Sequence, residues 1–387
     1  METQERSRML GTMEMGRLVP KVSIPIMISM MVQALYNVVD GIFVAKYSAA
    51  ALTAVSLAYP IQMLMIAVST GLGVGFNSLI SRKLGEKRAE EARDAAKNGM
   101  FTELCGYLLF LVFGLFFAKP FFNLFTPEAE LQELGGEYLS IVCVFSFGLF
   151  FGICFERMMQ ATGNTVLSMV TQLTGAVINI ILDPIMIFGL LGFPAMGVAG
   201  AAIATVIGQI GGMTLGLVLN QAKNVELRLH LKGFRPDKTI LKGILDVGFP
   251  SIIMQSISSV MNVLMNMILL GFGTAAVNVL GVYFKLQSFV FMPVFGLNNG
   301  MVPIVSYNLG AQKKKRLVGT GKFAFLLALC IMIAGFLVFQ LLPAPILRLF
   351  DASDTMLSIG VPALRIISIS FLLASGSIIS ISTLQAL

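Results

Sequence analysis

Apolar residues follow one another along this chain in long runs, and the breaks between runs are short and polar. Each run matches the roughly 20 residues that an α-helix needs to cross a bilayer, and is too long for a barrel strand. The pattern predicts ten helices, over 18–45, 52–80, 98–122, 137–160, 165–191, 195–220, 244–270, 274–303, 320–343 and 358–387. Alternate breaks are basic. Arg82, Lys83, Lys87, Arg88 and Arg93 fill one, Lys223, Arg228, Lys232, Arg235 and Lys238 another, and Lys313, Lys314, Lys315 and Arg316 a third. The intervening breaks are short, nearly neutral or acidic, as at Glu128, Glu130 and Glu133. The positive-inside rule therefore places the basic loops and the N-terminus in the cytoplasm of a multi-pass protein of the cell membrane.

Composition agrees. Of 387 residues, 56% are hydrophobic and 12% charged, where a soluble domain averages roughly 25% charged. A soluble chain of this kind would have too little polar surface to show water, so an all-α integral membrane protein is the expected class, with the lipid bilayer as its main partner. The net charge of +7 lies in the loops and is no nucleic-acid signal. The first apolar run is too long for a secretory h-region, contains Asp40 and lacks a small-residue cleavage site. Cys105, Cys143, Cys154 and Cys330 are scattered through apolar segments, and His230 stands in a polar linker. No metal site, disulfide framework or cofactor is expected from that spacing. No feature calls for a second subunit, and a monomer is expected.

Sliding the chain on itself by 225 residues reveals a repeat. Pro25 falls on Pro250, Asn37 on Asn262, Gly71 on Gly296 and Gly75 on Gly300. Ser81, Leu84 and Gly85 fall on Ser306, Leu309 and Gly310; Pro120, Leu124 and Phe125 on Pro345, Leu349 and Phe350; Gln160 and Ala161 on Gln385 and Ala386. The expectation is two six-helix lobes, 1–220 and 244–387, joined by a cytoplasmic linker over 221–243. An even number of helices per repeat gives both the same orientation, so the pseudo-twofold axis runs along the membrane normal. Leu387 matches Thr162, so only four helices of the second lobe are present. The chain reads as a piece of a twelve-helix protein.

Candidate chemistry lies inside the apolar runs. Gln33, Tyr36, Asn37 and Asp40 share one face of the first helix, and Asn179 and Asp183 one face of the fifth, followed by Pro184. Both acids stand about two turns from the outer end of their helix, at similar depth. An Asp there costs about 2.5–3.5 kcal/mol on insertion scales and is kept when it faces a wet cavity or a partner and has a task. Such a pair can load and release a proton, or bind a sodium ion together with amide and hydroxyl oxygens, including the carbonyl that Pro184 frees. In the second half Gln255, Ser258, Ser259, Asn262 and Asn266 form the matching stripe without the charge, and Met265 stands where Asp40 would repeat. Lys285 interrupts the eighth helix and is expected to face a cavity. Glu156 and Arg157 are expected to form a local ion pair at the membrane edge. Gly71 with Gly75, and Gly208 with Gly212, read as close helix packing. Some of the 24 methionines and 30 phenylalanines would line a deformable cavity wall.

"LGTMEMGRLVPKVSIPIMISMMVQALYNVVDGIFVAKY" (10–47), "QATGNT" (160–165), "NIILDPIMIFG" (179–189) and "FMPVFGLNNGMVPIVSYNLGAQ" (291–312) together resemble the MATE family of multidrug and toxic compound extrusion transporters. The likeness runs over the whole chain and is nearer to the MepA-like and DinF-like branches than to the NorM-like one. It implies twelve helices in two lobes, a cleft alternately open to each side, and export of bulky, often cationic compounds driven by inward flow of H+ or Na+. It places the cation site at Asp40 and Asp183, with Gln33, Tyr36, Asn179 and Thr205 beside them. Gln33, Asn37, Gln255, Ser259, Asn262, Asn266 and Lys285 would line the substrate cavity. NorM-like members carry further carboxylates in the seventh and tenth helices, and these helices lack a mid-membrane acid here.

Other classes fit less well. A lipid-linked saccharide flippase would favour several deep basic residues. An intramembrane enzyme would need a nucleophile–base pair or metal site, and neither H-E-x-x-H nor G-x-S-x-G occurs; nor does the G-x-x-x-x-G-K-[ST] loop of an ATP-driven pump. A scaffold has no need of two buried acids at one depth.

Overall fold

The computed structural model describes residues 2–229, 234–272, 274–348 and 353–386. His230, Lys232, Leu349 and Phe350 lie outside them. The helices are α1 (Glu2–Thr12), α2 (Met15–Tyr47), α3 (Ala49–Gly85), α4 (Ala89–Phe116), α5 (Ala118–Phe125), α6 (Ala129–Val144), α7 (Phe147–Ala161), α8 (Thr165–Phe188) and α9 (Gly197–Lys223). After a single 3-10 turn at Val225–Leu227 come α10 (Lys238–Leu270), α11 (Thr274–Gly310), α12 (Lys314–Leu341), α13 (Pro343–Arg348) and α14 (Asp354–Ala386). Among the described residues nine helices are long and apolar enough to cross a bilayer, ten when α6 and α7 count as one bent span. Large apolar side chains such as Leu109, Phe116, Ile366 and Leu373 stand exposed around the bundle, as lipid requires and water forbids.

The ten expected spans are found with shifted ends. At the basic end α4 begins earlier than its apolar run and α11 runs on past its own. In α4 charged residues continue the helix beyond the bilayer through pairs one turn apart, as Arg93 Nη1 with Glu90 at 2.6 Å and Lys97 Nζ with Asp94 at 3.0 Å. Ser48 caps α3 by accepting from the Ala51 N–H at 2.9 Å, and Asp237 caps α10 through the Thr239 and Ile240 N–H groups. The fourth span is broken by 42° between α6 and α7. Carbonyls freed at the break are met by Ser146 Oγ on Cys143 O at 2.8 Å and Tyr107 Oη on Val144 O at 3.2 Å.

The repeat is built into the packing. Ser81 Oγ donates to the Ala161 carbonyl at 3.3 Å, and Ser306 Oγ to the Ala386 carbonyl at 3.0 Å. Gly135 receives the Phe122 ring, and Gly360 the matching Leu347. The lobes meet through the same symmetry. Gly71 and Gly75 of α3 let α10 approach at Ile252, Gly248 and Ile244, while Gly296 and Gly300 of α11 admit Met27 and Ser23 of α2. Gly85 lies on the Tyr307 carbonyl and Gly310 on the Arg82 carbonyl. A Cβ at any of these six would strike its neighbour. All these contacts lie toward the end that carries the basic loops, so the lobes are joined there.

Candidate functional site

The first lobe brings Asp40, Asn179 and Asp183 together in the half away from the basic loops. α2 brings Asp40, and α8 packs beside it and brings Asn179 and Asp183. α9 lies close on α8 because Gly208 and Gly212 face Gly175, and that approach sets Thr205 beside Asn179. The close packing expected of both glycine pairs is found.

The Asp40 and Asp183 carboxyl groups face one another within hydrogen-bonding reach. Asp183 is fully buried and Asp40 half-buried. Asn179 Nδ2 donates to Asp183 Oδ1 at 3.1 Å and reaches Thr205 Oγ1 at 3.4 Å. Asp40 Oδ1 and Asp183 Oδ2 are buried with no hydrogen-bond donor. Two carboxylates this close and this dry repel unless a proton or a cation is shared between them. The arrangement can therefore hold one positive charge, with amide and hydroxyl oxygens around it.

Tyr36 lies near both acids, as expected. Gln33 is held by Gln172 of α8, whose Nε2 donates to Gln33 Oε1 at 3.0 Å. Asn37 is exposed on the same helix. Four neighbours escaped the spacing argument. Tyr59 and Tyr138 stand in the electrostatic surroundings of Tyr36 and Asp40, and Gln62 Nε2 donates to Tyr138 Oη at 2.8 Å. Gln209, one turn after Thr205, has a buried Oε1 with no donor. The signal available was the interruption of apolar runs by Tyr59-x-x-Gln62 and by Tyr138.

In the second lobe Gln255 is half-buried and Lys285 exposed, on a face shared with Gly281 and Phe289. The side chains of Ser258, Ser259, Asn262 and Asn266 lie outside the described residues. One expectation needs correcting. Arg157 forms no ion pair with Glu156 among the described residues. It is buried, and its Nη1 donates to Gln160 Oε1 at 3.0 Å and to Asn299 Oδ1 of α11 at 3.2 Å. Successive helix residues point about 100° apart, so adjacency in sequence did not bring the two charges together.

The MatE family model matches residues 25–185 and again 250–387, two segments whose starts differ by the repeat offset of 225. The multidrug export protein MepA of Staphylococcus haemolyticus is 27% identical over 367 residues, covering 92% of this chain and 80% of that protein. A probable multidrug resistance protein NorM of Thermotoga maritima is 29% identical over 366 residues, covering 92% and 77%. A solved outward-facing structure of a multidrug resistance MATE family transporter superposes with a TM-score of 0.89 at 26% identity, covering 99% of this chain and 84% of that one. With two copies of the matched pattern, paired lobes and an acidic pair in the first of them, the chain belongs to the MatE family and is a membrane transporter, not an enzyme.

Proposed function

We propose that the protein exports bulky organic cations across the cell membrane in exchange for H+ or Na+, by alternating access of two lobes, 1–220 and 244–387, as a monomer with its N-terminus in the cytoplasm. The observation that carries this reading is the Asp40–Asp183 pair, which is close, dry and short of donors. An organic cation drawn toward the pair and a coupling ion bound between its carboxylates compete for the same negative charge. Binding of one weakens the hold on the other, which is the requirement for antiport. Asn179, Thr205 and Tyr36 supply the remaining polar atoms for the small ion. Gln33 and Asn37, with Gln255 and Lys285, are assigned to the larger substrate. Contact between the lobes at the basic end supports reading this as a state open to the outside. A lipid-linked saccharide flippase finds no support at this site, whose polar groups are acids, amides and hydroxyls.

The test is dye accumulation in everted vesicles carrying the transporter, under a proton or a sodium gradient. Wild type is expected to move a cationic dye under one gradient. Asp40→Asn and Asp183→Asn, at equal membrane levels, are expected to stop it. Normal transport by either variant would remove the pair as the coupling site. An inert wild type under both gradients, with several dyes, would remove drug export itself.

A further inference from the structure

A second buried cluster of ionisable side chains lies in the first lobe, away from the acidic pair just described. Glu103 of α4 is fully buried; its Oε2 accepts from Ser69 Oγ of α3 at 2.8 Å, and its Oε1 has no donor. One turn along α3, Gly73 leaves the space in which the Arg157 side chain lies. The Arg157 guanidinium is within electrostatic reach of Glu103 and Glu156. A buried guanidinium beside carboxylates ordinarily forms the charged pair, because charge-assisted bonds are the stronger ones. Here its described bonds go to two neutral amides instead. One of them, Asn299, belongs to the other lobe and is itself buried. The other, Gln160, is anchored by donating to Ser168 Oγ at 2.9 Å.

We infer that Arg157 is the latch of the cytoplasmic gate: it holds the lobes together through Asn299, and turns to Glu103 when the lobes part. The inference rests on the rocking of the lobes proposed above. Such an element has two discrete arrangements, as a switch requires. Closed, the guanidinium bridges α7 to α11. Open, Asn299 leaves with the second lobe, and the unfilled Glu103 oxygen receives the donor that would otherwise be stranded. The partner waiting within the first lobe keeps a buried cation from standing unpaired during opening, so the latch opens without the full penalty of an orphaned charge. Arg157 is a positioning residue, acting on the spacing of the lobes rather than on substrate.

Ser78 and Ser306 give a reporter. Their hydroxyl oxygens are 3.1 Å apart across the lobes, and both residues are buried. In the full chain with its four native cysteines replaced, Ser78→Cys is labelled in vesicles by a small permeant maleimide. Labelling speeds up as the cytoplasmic face opens. Asn299→Asp sets a carboxylate opposite Arg157 and is expected to slow labelling roughly fivefold; Asn299→Leu removes the acceptor and is expected to speed it by a similar factor. Glu103→Gln weakens the waiting partner and is expected to slow labelling. A contact that only supported folding would shift both Asn299 variants the same way. Shifts of one sign, or none, would overturn the latch. Should Asn299→Leu fail to insert, Asn299→Asp decides alone, by slowing labelling or leaving it unchanged. The readout involves neither dye nor ion gradient. If Asp40→Asn transports normally while labelling still shifts in opposite directions, the coupling site is wrong and the latch stands.

Discussion

Gly85 packs its bare Cα against the backbone carbonyl of Tyr307, and 225 residues on, Gly310 does the same to the carbonyl of Arg82. The two contacts are one contact seen from both sides of the pseudo-twofold axis, and they seal the basic end. An added methyl would strike backbone, which cannot swing aside as a side chain can. Gly85→Ala and Gly310→Ala are each expected to destabilise the joined lobes by about 1–3 kcal/mol. Gly281→Ala, where nothing lies within 4 Å, is expected to be neutral or slightly stabilising through helix propensity. Thermal unfolding of the solubilised protein compares the three. Equal midpoints for Gly85→Ala and Gly281→Ala would mean that the lobes are not held here.

Asn179 divides its amide between the acid that holds the charge and the hydroxyl of Thr205. Asn179→Leu would leave Asp183 without that donor, a loss of about 1–3 kcal/mol in a buried site. Transport at a fixed gradient is expected to fall about tenfold or more, with the half-saturating concentration of the coupling ion displaced. Asn37 is exposed on α2. Asn37→Ala is therefore expected to change the apparent KM for dye by about twofold or more while leaving the coupling-ion requirement alone. The split is measured by titrating ion and dye separately. If both variants alter the same parameter, the division between ion site and substrate wall is wrong.

Residues on one helix were easier to read than residues brought together by several. Asp40 and Asp183 could be paired from sequence because each interrupts an apolar run at the same depth, and Asn179 lies one turn from Asp183. The paired lobes were legible because Gly85, Ser81 and their counterparts keep a single offset. Gln62 and Tyr138 were not found. They come from α3 and α6, and a spacing rule for one helix says nothing about contacts between helices. The break before α7 carries no proline; its carbonyls are satisfied by Tyr107 and Ser146, partners that a hydropathy profile does not see. α1 was missed for a simpler reason. It is short and polar, and what holds it is the rest of the protein.

That hold on α1 is itself testable. Leu10 is fully buried, and the carbonyls of Leu10, Gly11 and Met13 accept from Asn308 Nδ2, Lys313 Nζ and Arg316 Nη2 at 2.8, 2.7 and 2.6 Å. Carbonyls left over at a helix C-terminus carry partial negative charge, and cations are favoured there. Lys313→Ala and Arg316→Ala are each expected to weaken the docking of α1 by about 1 kcal/mol. Amide hydrogen exchange over residues 9–13 should then speed up severalfold, with the membrane helices unchanged. Unaltered exchange in the double variant would mean that Leu10, with the bonds from Asn308 and Ser7, holds the helix without these two cations.

The other side of α1 rests on Glu226, in the 3-10 turn between the lobes. Ser7 Oγ donates to Glu226 Oε1 at 2.7 Å, Arg93 Nε holds the Glu226 carbonyl at 3.0 Å, and Glu226 Oε2 is buried without a donor. Burial pushes the Glu226 carboxyl above its ordinary value of 4.5, while Ser7, Arg8 and Arg93 pull the other way without cancelling the shift. Because the folded value is the higher one, the native state binds the proton more tightly than the unfolded chain. The contribution to stability is fully present below the unfolded value and is lost as pH rises through the folded value. Glu226→Gln keeps an acceptor for Ser7 and removes the titration. Its unfolding midpoint is expected to match wild type in acid, and to exceed it increasingly as pH rises above about 4.5 toward neutrality. Midpoints measured from acid to neutral pH decide the matter. Parallel curves for the two proteins would show that Glu226 titrates alike folded and unfolded, and that its buried oxygen reaches water.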